Sequence, residues 1–351
     1  MASKGSRGSG EASIYDPGAQ QGRLDQGSAS FTLGKLWEFF SWKADVISSA
    51  AWKAIAWGKN SSVPQGRWVV LAATNGQGLV TSDDGNTWTF SNTGLPVVGL
   101  WNKLIYSSKN GLFVAVATNT GQALTSPNGI NWTARTLPAS QSWNGLADNP
   151  DGLIVAVSST GANRVATSPD GVTWTARSAA QANLWQSVTW GNGLFVAVSS
   201  DGANRVMTSP DGIAWTVRNA SAVVTWSDVL FGGNKFVAIG SASNTAMWSL
   251  DGITWTSSAT RGQGANTTYN RIAYGGGMFV AVGTGTTPAS IVSSPDGQAW
   301  SHRPTYPAAL GVVSDQTYNG VGYGEPGGRP TFIAVCTTPG SALPNVWMKS
   351  A

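Results

Sequence analysis

The chain has 351 residues, of which 44 are Gly and 18 are Trp, and only 11% are charged. Its formal net charge is +4 with no run of Lys and Arg, which argues against nucleic acid as a partner, because that needs a concentrated basic patch. One cysteine, Cys336, excludes an intrachain disulfide, and one histidine, His302, leaves no ligand set for a zinc or iron site. No metal and no cofactor is therefore expected. No apolar run approaches the ~18 residues of a membrane-spanning helix, so membrane insertion is not expected either.

In chain order, the first stretch is MASKGSRGSGEASIYDPG, which has no apolar segment of the secretory kind. Residues 1–36 read as an extended Gly/Ser-rich arm, too polar to bury a core alone, and the expected role is anchorage in a larger, multi-copy assembly. Residues 34–41 (GKLWEFFS) are the only stretch that passes for a short helix. From 37 to 351 the chain reads as one all-β domain.

Two motifs recur in step. The first begins with an aromatic residue and occurs seven times: WKAIAWG at Trp52, WNKLIYS at Trp101, WNGLADN at Trp143, WQSVTWG at Trp185, WSDVLFG at Trp226, YNRIAYG at Tyr269 and YNGVGYG at Tyr318. The second occurs six times: SDDGNTW (82–88), SPNGINW (126–132), SPDGVTW (168–174), SPDGIAW (209–215), SLDGITW (249–255) and SPDGQAW (294–300). Their leading serines lie 40 to 45 residues apart. Between the motifs sits an apolar run such as LFVAVA or KFVAIG. Each unit thus reads as four short strands. Four strands in about 42 residues is the pattern of a propeller blade.

Seven starts against six turns predict a seven-bladed β-propeller with one incomplete blade. The last unit ends at NVWMKSA, after its third strand. Trp42 lies ten residues before Trp52, close to the eleven that separate Trp174 from Trp185. A strand over 40–45 carrying Trp42 is therefore expected to complete the last blade and close the ring, which removes open sheet edges.

Pro and Gly in the S-P-D-G phrase suit a tight turn. Ser and Asp can hydrogen-bond the turn amides, and the Trp can wedge between sheets. Asp84, Asp170, Asp211, Asp251 and Asp296, with Trp88, Trp174, Trp215, Trp255 and Trp300, are accordingly structural. The phrase resembles a shortened Asp-box, the BNR repeat of sialidase-like and phage propellers. It lacks one residue between Asp and Trp. The resemblance implies the propeller fold. Sialidases would further imply three arginines, a tyrosine–glutamate pair and an acidic aspartate. Here Glu325, near Tyr318 and Tyr323, is the only glutamate after the clasp, and its connectivity puts it on the SPDG face, away from where a sialidase site lies. No catalytic residue is expected, and the chain is read as not an enzyme.

The connectivity also sorts the charges. Arg135, Arg177, Arg218 and Arg303 end fourth strands. Arg164 and Arg205 sit in GANR turns on the same side, with Arg261 and Arg271. The acids on that side are few, Asp45, Asp201, Asp228 and Asp315, and the others gather on the SPDG side. The basic rim, with Tyr306 and the long connections 258–268, 304–317 and 337–345, is the expected binding surface. The resulting expectation is a structural, non-enzymatic phage virion protein of the tail, a fibre or the capsid surface. Its arm would contact other virion proteins and its propeller a neighbour or a host glycan or protein. A lectin is the alternative, an Asp-box glycoside hydrolase a third reading, and an extracellular location the alternative to a virion.

Overall fold

A computed structural model describes residues 42–46, 51–73, 78–91, 95–241, 245–259, 268–284, 291–302, 317–336 and 346–350. The arm, the 34–41 stretch, the Trp42 side chain, Arg261, Arg303, Tyr306 and most of the three long connections lie outside what is described. All described sheets are antiparallel and four-stranded, so the chain is an all-β propeller.

Six blades are built from consecutive strands. Blade 1 starts with Trp52–Asn60, blade 2 with Leu100–Ser107, blade 3 with Trp143–Asp148, blade 4 with Trp185–Gly191, blade 5 with Trp226–Gly232 and blade 6 with Thr268–Gly275. The expectation of seven repeating units is refined here: six, not seven, are continuous in the chain. The remaining sheet is a composite of Tyr318–Gly324, Thr331–Cys336 and Val346–Ser350 with the N-terminal strand Trp42–Val46. In it Trp42 faces Ser350 and Val46 faces Val346 in register, two residues further on than the expected 40–45 span at its start.

The first strands of neighbouring sheets contact one another in a closed series, from blade 1 to blade 6, then to Tyr318–Gly324 and back to blade 1. Their leading aromatics, Trp52, Trp101, Trp143, Trp185, Trp226, Tyr269 and Tyr318, are all fully buried. Each buries on the order of 200 Å². A second aromatic, five residues on, meets the aromatic of its own second strand: Trp57–Trp68 at 5.2 Å, Tyr106–Phe113 at 4.9 Å, Trp190–Phe195 at 4.5 Å, Phe231–Phe236 at 4.8 Å, Tyr274–Phe279 at 4.5 Å and Tyr323–Phe332 at 5.1 Å. The glycine that follows lies under the same aromatic of the next sheet. A Cβ on Gly232 would come within 2.3 Å of the Tyr274 ring, and one on Gly324 within 2.5 Å of the Trp57 ring. Blade 3 departs from this rule, with Asp148 in the aromatic position.

The SPDG turns are alike in every blade that has one. In blade 3 the Gly171 amide donates to Ser168 Oγ at 2.8 Å, and the Val172 and Thr173 amides both donate to Asp170 Oδ1 at 2.8 Å. The Trp174 indole donates to the Gly171 carbonyl at 3.2 Å. Gly171 has φ of 75°, a left-handed conformation that favours glycine. In blade 2 Asn128 replaces the aspartate and accepts the same two amides at 2.9 and 2.8 Å. The structural reading of these turns therefore rests on hydrogen bonding, which a neutral amide also supplies. Burial opposes ionisation of Asp84, but the Thr87 and Asn86 amides and the Ser82 hydroxyl outweigh it and hold the carboxyl at about 2. Asp170 and Asp211 are held low chiefly by the amides that cap them, and Asp251 and Asp296 by the same groups working against burial.

These turns predict that a neutral amide can stand in for the ionised carboxylate. Asp211→Asn should unfold in urea at pH 7 within about 0.5 kcal/mol of the parent, because Asn128 already does this work. Asp211→Ala should lose about 1–2 kcal/mol. The aspartate contributions are fully present above pH ~4, the ordinary carboxylate value, and disappear as pH falls through the lowered folded values.

Candidate functional site at the cationic mouth of the channel

In every first strand the register against the second strand slips between the leading aromatic and the residue two places on. Such a bulge sets an extra residue on one strand and re-aims side chains. Repeated seven times at the inner edge, it gives one ring of side chains: Ala54, Lys103, Gly145, Ser187, Asp228, Arg271 and Gly320. Four are small. Three are charged, and Lys53 joins them from the adjacent position. Strands one and three run the same way, so the start of a first strand and the SPDG turn lie on opposite faces. The charged ring belongs to the face opposite the turns.

Asp228 is buried, and its carboxylate is fully engaged. Lys103 Nζ lies 3.2 Å from its Oδ1. The Ser187 hydroxyl donates to the same oxygen and the Ile272 amide donates to Oδ2 at 3.1 Å. Burial alone would raise this carboxyl, but Lys103 and Arg271 keep it below the usual range. Burial also pulls the Lys103 ammonium down, more than Asp228 holds it up. Arg271 donates to the Asn270 carbonyl at 2.9 Å and to Asn102 Oδ1 at 3.3 Å. Asn102 in turn donates to Asn144 Oδ1 at 2.9 Å, and Asn144 to the Trp185 carbonyl at 3.2 Å. This net ties the guanidinium into four blades, 6, 2, 3 and 4. Lys53 is different: it makes no hydrogen bond among the described residues. Burial, and then repulsion from Arg271, bring its ammonium down to about 8. Lys53, Lys103, Asp228 and Arg271 line one small cavity of about 30 Å³.

A larger open groove, about 490 Å³, separates blades 1 and 2 and is lined by Leu79, Leu95, Pro96, Ile130 and Trp132 among others. None of its lining residues is titratable. Tyr323 and Glu325 are brought together, the phenol donating to Oε1 at 2.6 Å. Glu325 directly precedes a single 3-10 turn, Pro326–Gly328, between the first and second strands of its sheet. It therefore lies on the SPDG face, and burial and Glu325 both push the Tyr323 phenol up, beyond use as a nucleophile near neutral pH.

The basic-rim arginines occupy two kinds of place. Arg135, Arg177 and Arg218 each donate Nε to the threonine of the neighbouring third strand, Thr125, Thr167 and Thr208, at 3.0, 3.1 and 3.2 Å. Arg164 and Arg205 tie their own turns, Arg164 to the Gly161 carbonyl at 3.0 Å and Arg205 to the Gly202 carbonyl at 2.9 Å. Register brings Arg177 opposite Val165, beside Arg164, and Arg218 opposite Val206, beside Arg205. The structure thus pairs them in blades 3 and 4. Lys53 and Lys103 were not singled out in the sequence, and Arg271 only as one rim charge among several. The available signal was a charge at a motif position that other repeats fill with Ala, Gly or Ser.

No family model matches the chain, and no curated protein matches it in sequence. Membership of the Asp-box family is therefore not supported, although the turns cap themselves as described. The fold does have solved counterparts. The chain is similar to a catalytically inactive virginiamycin B lyase from Staphylococcus aureus solved with quinupristin, at TM-score 0.71 and 12% identity over 89% of this chain and 99% of that one. It is also similar to a streptogramin B lyase, at TM-score 0.70 and 10% identity over 89% and 98%. A third counterpart is YCF48 bound to a D1 peptide, at 0.63 and 15% over 88% and 96%. These likenesses show the propeller fold. They also correct the expectation that the chain is not an enzyme: that inference leaned on a missing sialidase constellation, and propellers of this shape include lyases. None of the counterparts named is a virion protein.

The site predicts a strong cost for losing its one acid. Asp228→Ala leaves Lys103, Arg271 and Lys53 close together without a carboxylate, and should destabilise by about 3–5 kcal/mol in urea unfolding at pH 7. The effect should shrink as pH falls through the lowered carboxyl value of Asp228, where the parent loses the same interaction.

Proposed function

We propose that the protein is an anion-recognising docking propeller that engages an acidic polypeptide through the face opposite its SPDG turns. The observation that carries this reading is the arginine rim of blades 2 to 4. Among the described residues, Arg135, Arg164, Arg177, Arg205 and Arg218 make no ion pair. Three of them are held by Nε alone to a threonine, which orients the guanidinium and leaves its terminal donors for a carboxylate. The described acids of the SPDG turns lie on the other face, so the molecule has an electrostatic polarity that steers a partner to one side. A propeller of the same fold has been solved with a peptide bound, which supports a polypeptide as the occupant.

The scaffold that goes with this reading is a ring of seven, with the composite sheet as the blade that the N-terminal strand closes. A rigid ring loses little entropy on docking. A phage particle, with the arm as anchor and the propeller facing a neighbour, is one setting for such docking.

Fluorescence anisotropy with a labelled poly-glutamate peptide at 50 mM salt tests the reading. The parent should bind with an affinity that falls steeply with salt. The triple variant Arg135→Ser, Arg177→Ser, Arg218→Ser should bind at least tenfold more weakly, with a melting temperature within a few degrees of the parent. Equal binding by parent and variant would contradict the reading, as would tighter binding to a neutral glycan array than to the acidic peptide.

A further inference from the structure

The inner ring supports a second site, independent of the rim. We propose that the mouth of the channel binds one carboxylate group of a small organic acid, held between Lys53 and Arg271. The charge count is the first argument. Three cations meet one anion there, and that anion is already committed to Lys103, the Ser187 hydroxyl and the Ile272 amide. Two positive charges thus remain in a place where unpaired charge is costly. A bound carboxylate removes that cost, so the site is built to gain from an anion.

The second argument is geometric. Arg271 is locked by Asn270 and Asn102, whereas Lys53 has no hydrogen-bond partner among the described residues. One cation is fixed and the other is free to close on a ligand. The facing positions, Ala54, Gly145, Ser187 and Gly320, are small. A Cβ on Gly320 would meet the Lys53 carbonyl at 2.2 Å, so that position is confined to glycine and the Lys53 backbone is packed directly against it.

Size then selects the ligand. The cavity of about 30 Å³ is room for about two water-sized atoms, which matches the two oxygens of a carboxylate, whereas a phosphate would leave part of its charge outside. The rest of the acid extends out of the mouth toward solvent. Protonated Lys53 is needed, and its ammonium is already down at about 8. Binding is therefore strong below that pH and is lost as pH rises through it, shifted upward somewhat by the ligand itself.

Isothermal titration with acetate and with succinate, followed by thermal shift, tests this. At pH 7 both should bind saturably with one site per chain, and inorganic phosphate should bind at least tenfold more weakly. The affinity should fall about tenfold between pH 7 and pH 9. Lys53→Met should abolish the binding and its pH step, yet leave the melting temperature equal or higher, because it removes a repelling charge. Lys53→Arg should keep the binding and lose the pH step. The proposal is overturned if acetate does not saturate at pH 7, if Lys53→Met binds like the parent, or if phosphate binds as tightly. The rim arginines take no part, so the outcome is separate from that of the poly-glutamate experiment.

Discussion

The seam between neighbouring first strands is the constraint on which the rest of this structure depends. A glycine ends each such motif in most repeats, and the aromatic of the next sheet lies directly on it. Gly58 takes Tyr106, Gly191 takes Phe231, Gly232 takes Tyr274, Gly275 takes Tyr323 and Gly324 takes Trp57. Any Cβ there would drive into a ring packed on both sides, and interiors at native density have no slack to absorb that. The seam fixes the distance between sheets. It also fixes the inner edge of each sheet, so the bulges that follow the leading aromatics fall into one ring. The cationic mouth exists because that ring aligns positions that are dozens of residues apart in the chain.

The two faces then differ for different physical reasons. On one face the aspartates are spent on capping amides, and Asn128 shows that a neutral amide fills the same place. On the other the cations outnumber the acids. Asp228 is neutralised in place by Lys103, while Lys53 and the rim arginines make no ion pair among the described residues. An excess charge kept in a partly buried ring raises the energy of the empty protein, and its retention makes sense where something fills it. That argument gives a location and a chemistry. It leaves the rest of the ligand open to the shape of what extends from the mouth.

Much of the fold was legible because propeller repeats repeat their physics. The two motifs marked the first strands and the turns, the all-apolar run marked the buried second strand, and counting strands placed a strand over 40–45 in the last sheet, where Trp42–Val46 pairs with Val346–Ser350. The site was legible only in part. The arginines at strand ends could be sorted by face from connectivity alone. Their side-chain ties to Thr125, Thr167 and Thr208 could not, since they need the register. Lys53 and Lys103 escaped because an aligned motif such as WKAIAWG or WNKLIYS draws the eye to its aromatics, and the charge reads as the polar half of an amphipathic strand. Only the bulge, which sequence does not announce, turns those residues inward. Glu325 shows the opposite case: its pairing with Tyr323 at 2.6 Å is real, but it lies on the capped face, as its place between the first two strands requires.

The central claim is that recognition lies on the face opposite the SPDG turns, with the channel mouth as its chemical focus. Crystals soaked in 4-bromobenzoate, whose aryl bromine is not displaced by amines and gives an anomalous signal, test it most directly. The account predicts a peak at the mouth, with the carboxylate between Lys53 and Arg271 and the bromine outward. A strongest peak at the SPDG turns or in the groove between blades 1 and 2, with the mouth empty, would contradict it.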